Sequence, residues 1–231
     1  MKTLILLFAA ALLFTACKKN TVPVNNNDQE ATLTTGTNED AKIASVVIGT
    51  QTWMASNLNV TKYRNGQTIS QVKKQSDWAK LTSGAWCYYD NDTANGEVYG
   101  KLYNWYAVND LRGLAPVGWH IATNEDWATL SNYLGGDVVA GGQMKETGTA
   151  HWFTPNVAAT NSSGFTGLPG GFRNYGYNGG FVQISQFGYW WSANESGATS
   201  GFIRSLFYHN GALGHNTASK QRGCYVRCVK D

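Results

Sequence analysis

In Thr123-Asn124-Glu125-Asp126-Trp127-Ala128-Thr129-Leu130-Ser131-Asn132-Tyr133-Leu134-Gly135-Gly136 both ends of one helix are spelled out. Thr123 can cap the first turn, and Asp126, three residues on, can bond back to it, a variant of the capping box. Trp127, Leu130 and Leu134 recur at helical spacing and make one buried stripe. Gly135-Gly136 supplies the stop.

Working outward, Gly100-Lys101-Leu102-Tyr103-Asn104-Trp105-Tyr106-Ala107-Val108 predicts a second helix, with Leu102, Trp105 and Tyr106 on one face. Farther upstream, Ser45-Val46-Val47-Ile48-Gly49-Thr50-Gln51-Thr52-Trp53-Met54 reads as a hairpin, two β-branched runs around a Gly-Thr turn. Downstream lie glycine-punctuated strands at 164–173, 188–192, 201–209 and 223–229. Trp190 and Trp191 face opposite sides of any strand they occupy; one of them belongs to the core, as do Trp105, Trp119 and Trp127. No 20–50-residue period recurs, which excludes a solenoid or propeller. The expected fold is α+β: two central helices with a small twisted antiparallel sheet and long glycine-rich loops.

Composition fits a loop-rich, aromatic-cored body. Charged residues are 14% of the chain, aromatics 13%, and there are 26 glycines, whereas average proteins carry about 25% charge. The 18 basic and 15 acidic residues nearly cancel, so there is no basic footprint for nucleic acid.

The N-terminus points to a compartment. Met1-Lys2 is followed by an apolar run from Leu4 to Leu13 and then Phe14-Thr15-Ala16-Cys17, the layout of a secretory signal. Small residues directly before a cysteine resemble the lipobox of bacterial lipoproteins, in which Cys17 is acylated and becomes the new N-terminus. An ordinary signal peptide cut near Ala16 is the competing reading; a spanning anchor would need about 20 apolar residues. Residues 18–44 are Asn, Thr, Asp and Gln with few apolar side chains, a disordered tether. The order expected is a signal peptide over 1–17, the tether over 18–44 and one domain over 45–231. The partner implied is the membrane, through the lipid, and the location is the outer membrane, at the cell surface or the periplasmic face.

With Cys17 committed to lipid, Cys87, Cys224 and Cys228 remain. On a strand Cys224 and Cys228 stand about 13 Å apart, beyond the ~7 Å Cα limit of a disulfide. Cys87 can therefore bridge to either of them, or all three stay thiols.

Catalytic signatures are missing. No histidine stands in His-Glu-x-x-His or beside Cys-x-x-Cys, there is no Gly-x-Ser-x-Gly elbow, and Gly176-Tyr177-Asn178-Gly179-Gly180 lacks the lysine of a phosphate loop. Asp90-Asn91-Asp92-Thr93-Ala94-Asn95-Gly96-Glu97 is rich in oxygen ligands, but Ala94 replaces the fifth-position ligand of an EF-hand. A plain Asx turn is the preferred reading over a structural Ca2+ on Asp90 and Asp92, and no cofactor is expected.

Several segments in order resemble one family. They are Trp53-Met54-Ala55-Ser56-Asn57-Leu58, Tyr99-Gly100-Lys101-Leu102-Tyr103-Asn104-Trp105-Tyr106-Ala107-Val108, Gly113-Leu114-Ala115-Pro116-Val117-Gly118-Trp119-His120, Lys145-Glu146-Thr147-Gly148, Leu168-Pro169-Gly170-Gly171-Phe172-Arg173, Tyr189-Trp190-Trp191-Ser192 and Val226-Arg227-Cys228-Val229. The chain is similar to the Fibrobacter succinogenes major paralogous domain over roughly 46–231, a module of surface and secreted proteins. The resemblance implies a Cys87–Cys228 disulfide and leaves Cys224 where an aromatic residue is more usual. More remotely the family resembles the C-type-lectin-like fold of formylglycine-generating enzymes. The copper-holding cysteines of those enzymes have no counterpart between 191 and 222, so their activity is not implied.

In lectin-like folds the long loops before the last strands form an exposed face. Here that stretch is 193–222. The candidate ligand residues are Trp191, Asn194, Glu195 and Arg204, then Tyr208, His209 and Asn210, then His215 and Asn216, a polar surface dotted with rings. The expected function is non-catalytic: an envelope lipoprotein that binds a glycan or an envelope or host protein. The alternatives are a structural or assembly subunit of the envelope and, behind it, a polysaccharide hydrolase using two of Glu125, Asp126, Glu146 and Glu195.

Overall fold

The computed structural model describes residues 43–176 and 180–231; the signal peptide, Cys17, the tether and part of the Gly176–Gly180 segment fall outside them. The chain forms β1 (Ser45–Ile48), β2 (Gln51–Met54), β3 (Ser70–Gln71), α1 (Gln75–Trp78), β4 (Ala85–Cys87), a 3-10 turn (Tyr89–Asn91), α2 (Thr93–Tyr99), β5 (Leu102–Tyr103) and α3 (Trp105–Val108). Then come β6 (Trp119–Ile121), α4 (Asn124–Tyr133), α5 (Asp137–Met144), β7 (Gly170–Arg173), β8 (Phe181–Ile184), β9 (Phe187–Gly197), β10 (Ser200–Phe207), β11 (Leu213–Ser219) and β12 (Cys228–Lys230).

These strands make three sheets, ordered β1-β2-β12-β6, β11-β10-β9-β7-β8 and β3-β4-β5. The α+β, lectin-like expectation of two central helices on a small sheet is therefore wrong. The domain is mostly β, and its longest strands are β9 and β10, of 11 and 8 residues. Gly100–Val108 is not one helix: Leu102–Tyr103 pairs with Trp86 and Cys87, and Asn104 starts a new turn by accepting from the Ala107 amide. The 193–222 stretch is not loop but the end of β9 plus β10 and β11, a meander in which Arg204 sits opposite His215.

Local chemistry explains the elements that form as read. Gly49, with φ of 61°, makes the two-residue turn of the β1–β2 hairpin, in which Ile48 pairs with Gln51. Thr123 and Asp126 make both bonds of the capping box at the start of α4. The C-terminal β12 slots between β2 and β6, Val229 pairing with Trp53 and with His120, so the two ends of the domain close one sheet.

Two apolar clusters fill the interior. Trp190 lies in the first, with Trp53, Trp127 and Phe165; Trp191 lies in the second, with Tyr103 and Trp105. Both are fully buried, because each face of β9 is covered. Cys87 belongs to the first cluster, Cys224 and Cys228 to the second. All three are buried thiols. The Cys87–Cys228 bridge is thus not formed, since their strands turn them into different cores. Burial pushes the Cys87 thiol up to about 11 and those of Cys224 and Cys228 to about 12.

Candidate functional site

Where α4 crosses the β10–β11 hairpin there is a hollow of about 330 Å³, at the lower end of the ~300–1,000 Å³ typical of small-molecule sites. Ala128 and Phe202 supply its apolar surface. Arg204, His215, Asn216 and Thr217 contribute polar groups from the two strands, and Asn124 does so from the first residue of α4. The register that pairs Phe202 with Thr217 and Arg204 with His215 brings them together.

A hydrogen-bond network braces this hollow. Asn194 on β9 accepts the Asn124 amide at 2.6 Å, satisfying an otherwise orphaned donor of the α4 N-terminus. The Asn124 side-chain oxygen accepts from Arg204 Nη2 at 3.0 Å, and the Ile203 carbonyl accepts from Nη1 at 3.2 Å. Behind the hollow, His215 Nε2 lies 3.0 Å from Asp137 Oδ1, an oxygen that also accepts from the Ser131 hydroxyl. Burial opposes the Asp137 charge, yet the Ser131 and His215 hydrogen bonds and the charges of His215 and Arg204 hold its carboxyl below the usual range. Burial lowers the Arg204 pKa, partly offset by Asp137.

Of the residues expected to bind, Arg204, His215 and Asn216 meet in this hollow, and Asn194 supports it. The others lie elsewhere. Trp191 is a core residue whose indole donates to the Tyr103 carbonyl, not a ligand contact. Glu195 is paired with Lys220, whose ammonium also lies 4.7 Å from the Trp105 ring centre. Tyr208 and His209 pack edge to face beyond β10, with Phe153 and Phe187 against them. The Asn210 side chain accepts from the Ala212 amide. Asn124, Ala128 and Phe202 went unread: the helix residues are far away in sequence, and nothing local signals that α4 crosses this hairpin.

The candidate carboxylates are dispersed among separate networks. Glu146 holds His151 at 2.9 Å, and Asp126 is bound by Thr123, Gln51 and His120. Asp92 accepts the Ala94 amide as the cap of α2, and Asp90 sits in the preceding turn with φ of 52°. Among the described residues no group of three His, Cys, Asp or Glu side chains is placed to hold a metal. Among the same residues no helix is long and apolar enough to cross a membrane.

Sequence reasoning also missed four buried cations that have no acid partner among the described residues. Lys145 donates to the carbonyls of Val157, Phe207 and Asn210 at 2.7–2.9 Å. Arg173 donates to Val72, Lys73 and Gln75 between the rings of Trp78 and Phe181. Arg227 reaches Met54, Phe165 and Asn57, and Lys101 bonds Asn59 beside Trp86 and Tyr88. All four belong to the motifs that carry the resemblance, so those motifs encode the interior rather than a surface.

The family model of the Fibrobacter succinogenes major domain matches residues 46–230, and the chain belongs to that family. No curated protein and no solved structure matches the chain.

Proposed function

We propose that this protein is a non-catalytic cell-envelope lipoprotein, anchored in the outer membrane through Cys17, whose domain binds a glycan or an envelope or host protein. The observation that carries the binding half is the hollow between α4 and the β10–β11 hairpin: an apolar floor, polar groups from three elements, and a brace behind them. Such a mixture of ring, amide and charge suits saccharides. The leader and the acylated cysteine account for placement at the membrane, a single acyl chain giving only marginal binding and two or three giving a stable anchor.

Two measurements test this reading. Cells fed radiolabelled palmitate should label the wild type and not Cys17→Ala, and protease shaving of intact cells reports which face of the membrane holds the domain. A glycan array probed with the purified protein should give hits that weaken on Asn216→Ala, an exposed residue outside the core. An unlabelled wild type would remove the anchor; a blank array would remove the glycan. A second reading, docking to another protein, draws on Leu111 and Val117, 105% and 76% exposed within one short loop. Whole-cell crosslinking that captures one stoichiometric partner, lost on Leu111→Asp, would favour it.

A further inference from the structure

Arg204 differs from the other buried guanidinium groups. Arg173 and Arg227 each commit Nε and at least one Nη to acceptors in the interior. Arg204 is 3% exposed, yet its Nε has no partner, and its two bonds go to a carbonyl and an amide oxygen. Among the described residues no carboxylate forms an ion pair with it; Asp137, whose field it feels, is taken up by Ser131 and His215. Burying a guanidinium short of acceptors is costly unless a nearby anion offsets its charge, and the Arg204 side chain borders an open hollow.

From this contrast we infer that the hollow takes an acidic saccharide, a sugar ring whose carboxylate lies against Arg204 and His215. The inference rests on the glycan reading above and narrows it to one class. Arginine–carboxylate bonds are the strongest hydrogen bonds open to such a ligand. His215, whose Nε2 is engaged by Asp137, lines the same hollow and bears on the ligand beside Arg204. Asn216 and Thr217, both exposed, are donors and acceptors for ring hydroxyls. Phe202 and Ala128 offer an apolar surface to the C–H face of the ring. A neutral sugar would leave the Arg204 charge as it stands, whereas a uronic or sialic acid neutralises it.

The test is calorimetric titration of the full chain in detergent micelles with galacturonate, glucuronate and sialic-acid trisaccharides. The comparison ligands are the methyl ester of each acid, maltotriose, and citrate as a carboxylate without a sugar ring. The expected result is binding of at least one acidic trisaccharide at least tenfold tighter than its ester, weakened fivefold or more by His215→Gln and by Asn216→Ala at unchanged melting temperature. Arg204→Lys, which keeps the charge but loses the fork, should weaken it further. Equal binding of acid and ester overturns the inference while leaving the glycan reading intact, as does tight binding of maltotriose alone. Citrate binding as tightly as the best acidic sugar removes the saccharide from it, and failure of all three acids to bind overturns it outright. Binding unaffected by His215→Gln and Asn216→Ala places the site elsewhere and also overturns it.

Discussion

Asn57 and Trp190, 133 positions apart, are joined by a 2.7 Å hydrogen bond from the indole Nε1 to the amide oxygen. Arg227 Nε reaches the same oxygen at 3.3 Å, and Asn57 Nδ2 donates to the Tyr99 carbonyl at 2.8 Å. One buried amide therefore ties together the Trp-Met-Ala-Ser-Asn-Leu opening, the Tyr-Trp-Trp-Ser strand and the Val-Arg-Cys-Val close. Asn57→Ala strands an indole N–H and weakens the setting of a buried guanidinium. Each orphaned group costs about 1–3 kcal/mol, more when charged. The expected loss is about 3 kcal/mol, read as a lower midpoint in urea unfolding with the slope unchanged.

Helix α5 carries Gly141 and Gly142 in its interior, poor residues for a helix. A Cβ on Gly141 would lie 2.1 Å from the Ala212 carbonyl oxygen, and one on Gly142 2.5 Å from that of Ala158. Gly141 lets the helix backbone touch the β10–β11 turn, and Gly142 lets it touch the α5–β7 connection at Ala158. Gly141→Ala gains about 1 kcal/mol in helix propensity but forces a backbone shift of the kind that costs about 1–3 kcal/mol or more. Net destabilisation of about 1–2 kcal/mol is expected, because the Cβ meets backbone that cannot rotate away, against no change for Gly180→Ala, where a Cβ meets nothing within 4 Å.

Asp110 is held down to about 2, chiefly by its hydrogen bonds with Arg112. A carboxyl depressed in the folded state contributes stability that is present above the unfolded value near 3.9 and is lost as pH falls toward 2. Wild type should exceed Asp110→Asn in stability at pH 6, with the gap closing between pH 4 and 2. A gap constant across that range would show that Asp110 acts only through packing.

Cys87, Cys224 and Cys228 should be silent toward a thiol reagent in the native protein and react together on unfolding. Burial excludes the reagent and raises each thiol, so little thiolate is present. Prior treatment with reductant should leave the melting temperature unchanged. A reductant-dependent drop would restore the disulfide.

What could be read in the sequence was what is locally encoded. The Gly49 turn, the Thr123–Asp126 cap and the Gly135-Gly136 stop each rest on neighbours within a few positions. The rest depended on distant contacts. In β11, His215, Asn216 and Thr217 are consecutive and all exposed, so no alternation marks the strand, and the stretch read as loop. Gly141 and Gly142 hid α5, because only the close approach of Ala212 and Ala158 explains them. Arg204, His215 and Asn216 were named as candidates for their chemistry. Asn124, Ala128 and Phe202 needed the crossing of α4 over the hairpin. Trp191 was placed in the site because rings in such surfaces bind, and it is buried because the second face of β9 is covered as well.

The carbonyl cages around Lys145, Arg173 and Arg227 have a consequence for how the fold meets acid and salt. Acid usually dismantles proteins by protonating the carboxylates that hold their cations, and salt loosens exposed pairs. A peptide oxygen has no proton to gain near neutrality, and these are shielded from ions. The interior around these three cations should thus hold from neutrality into acid and across changes of salinity; on the alkaline side, burial brings the Lys145 ammonium down to about 8, so its cage is the first to lose its charge.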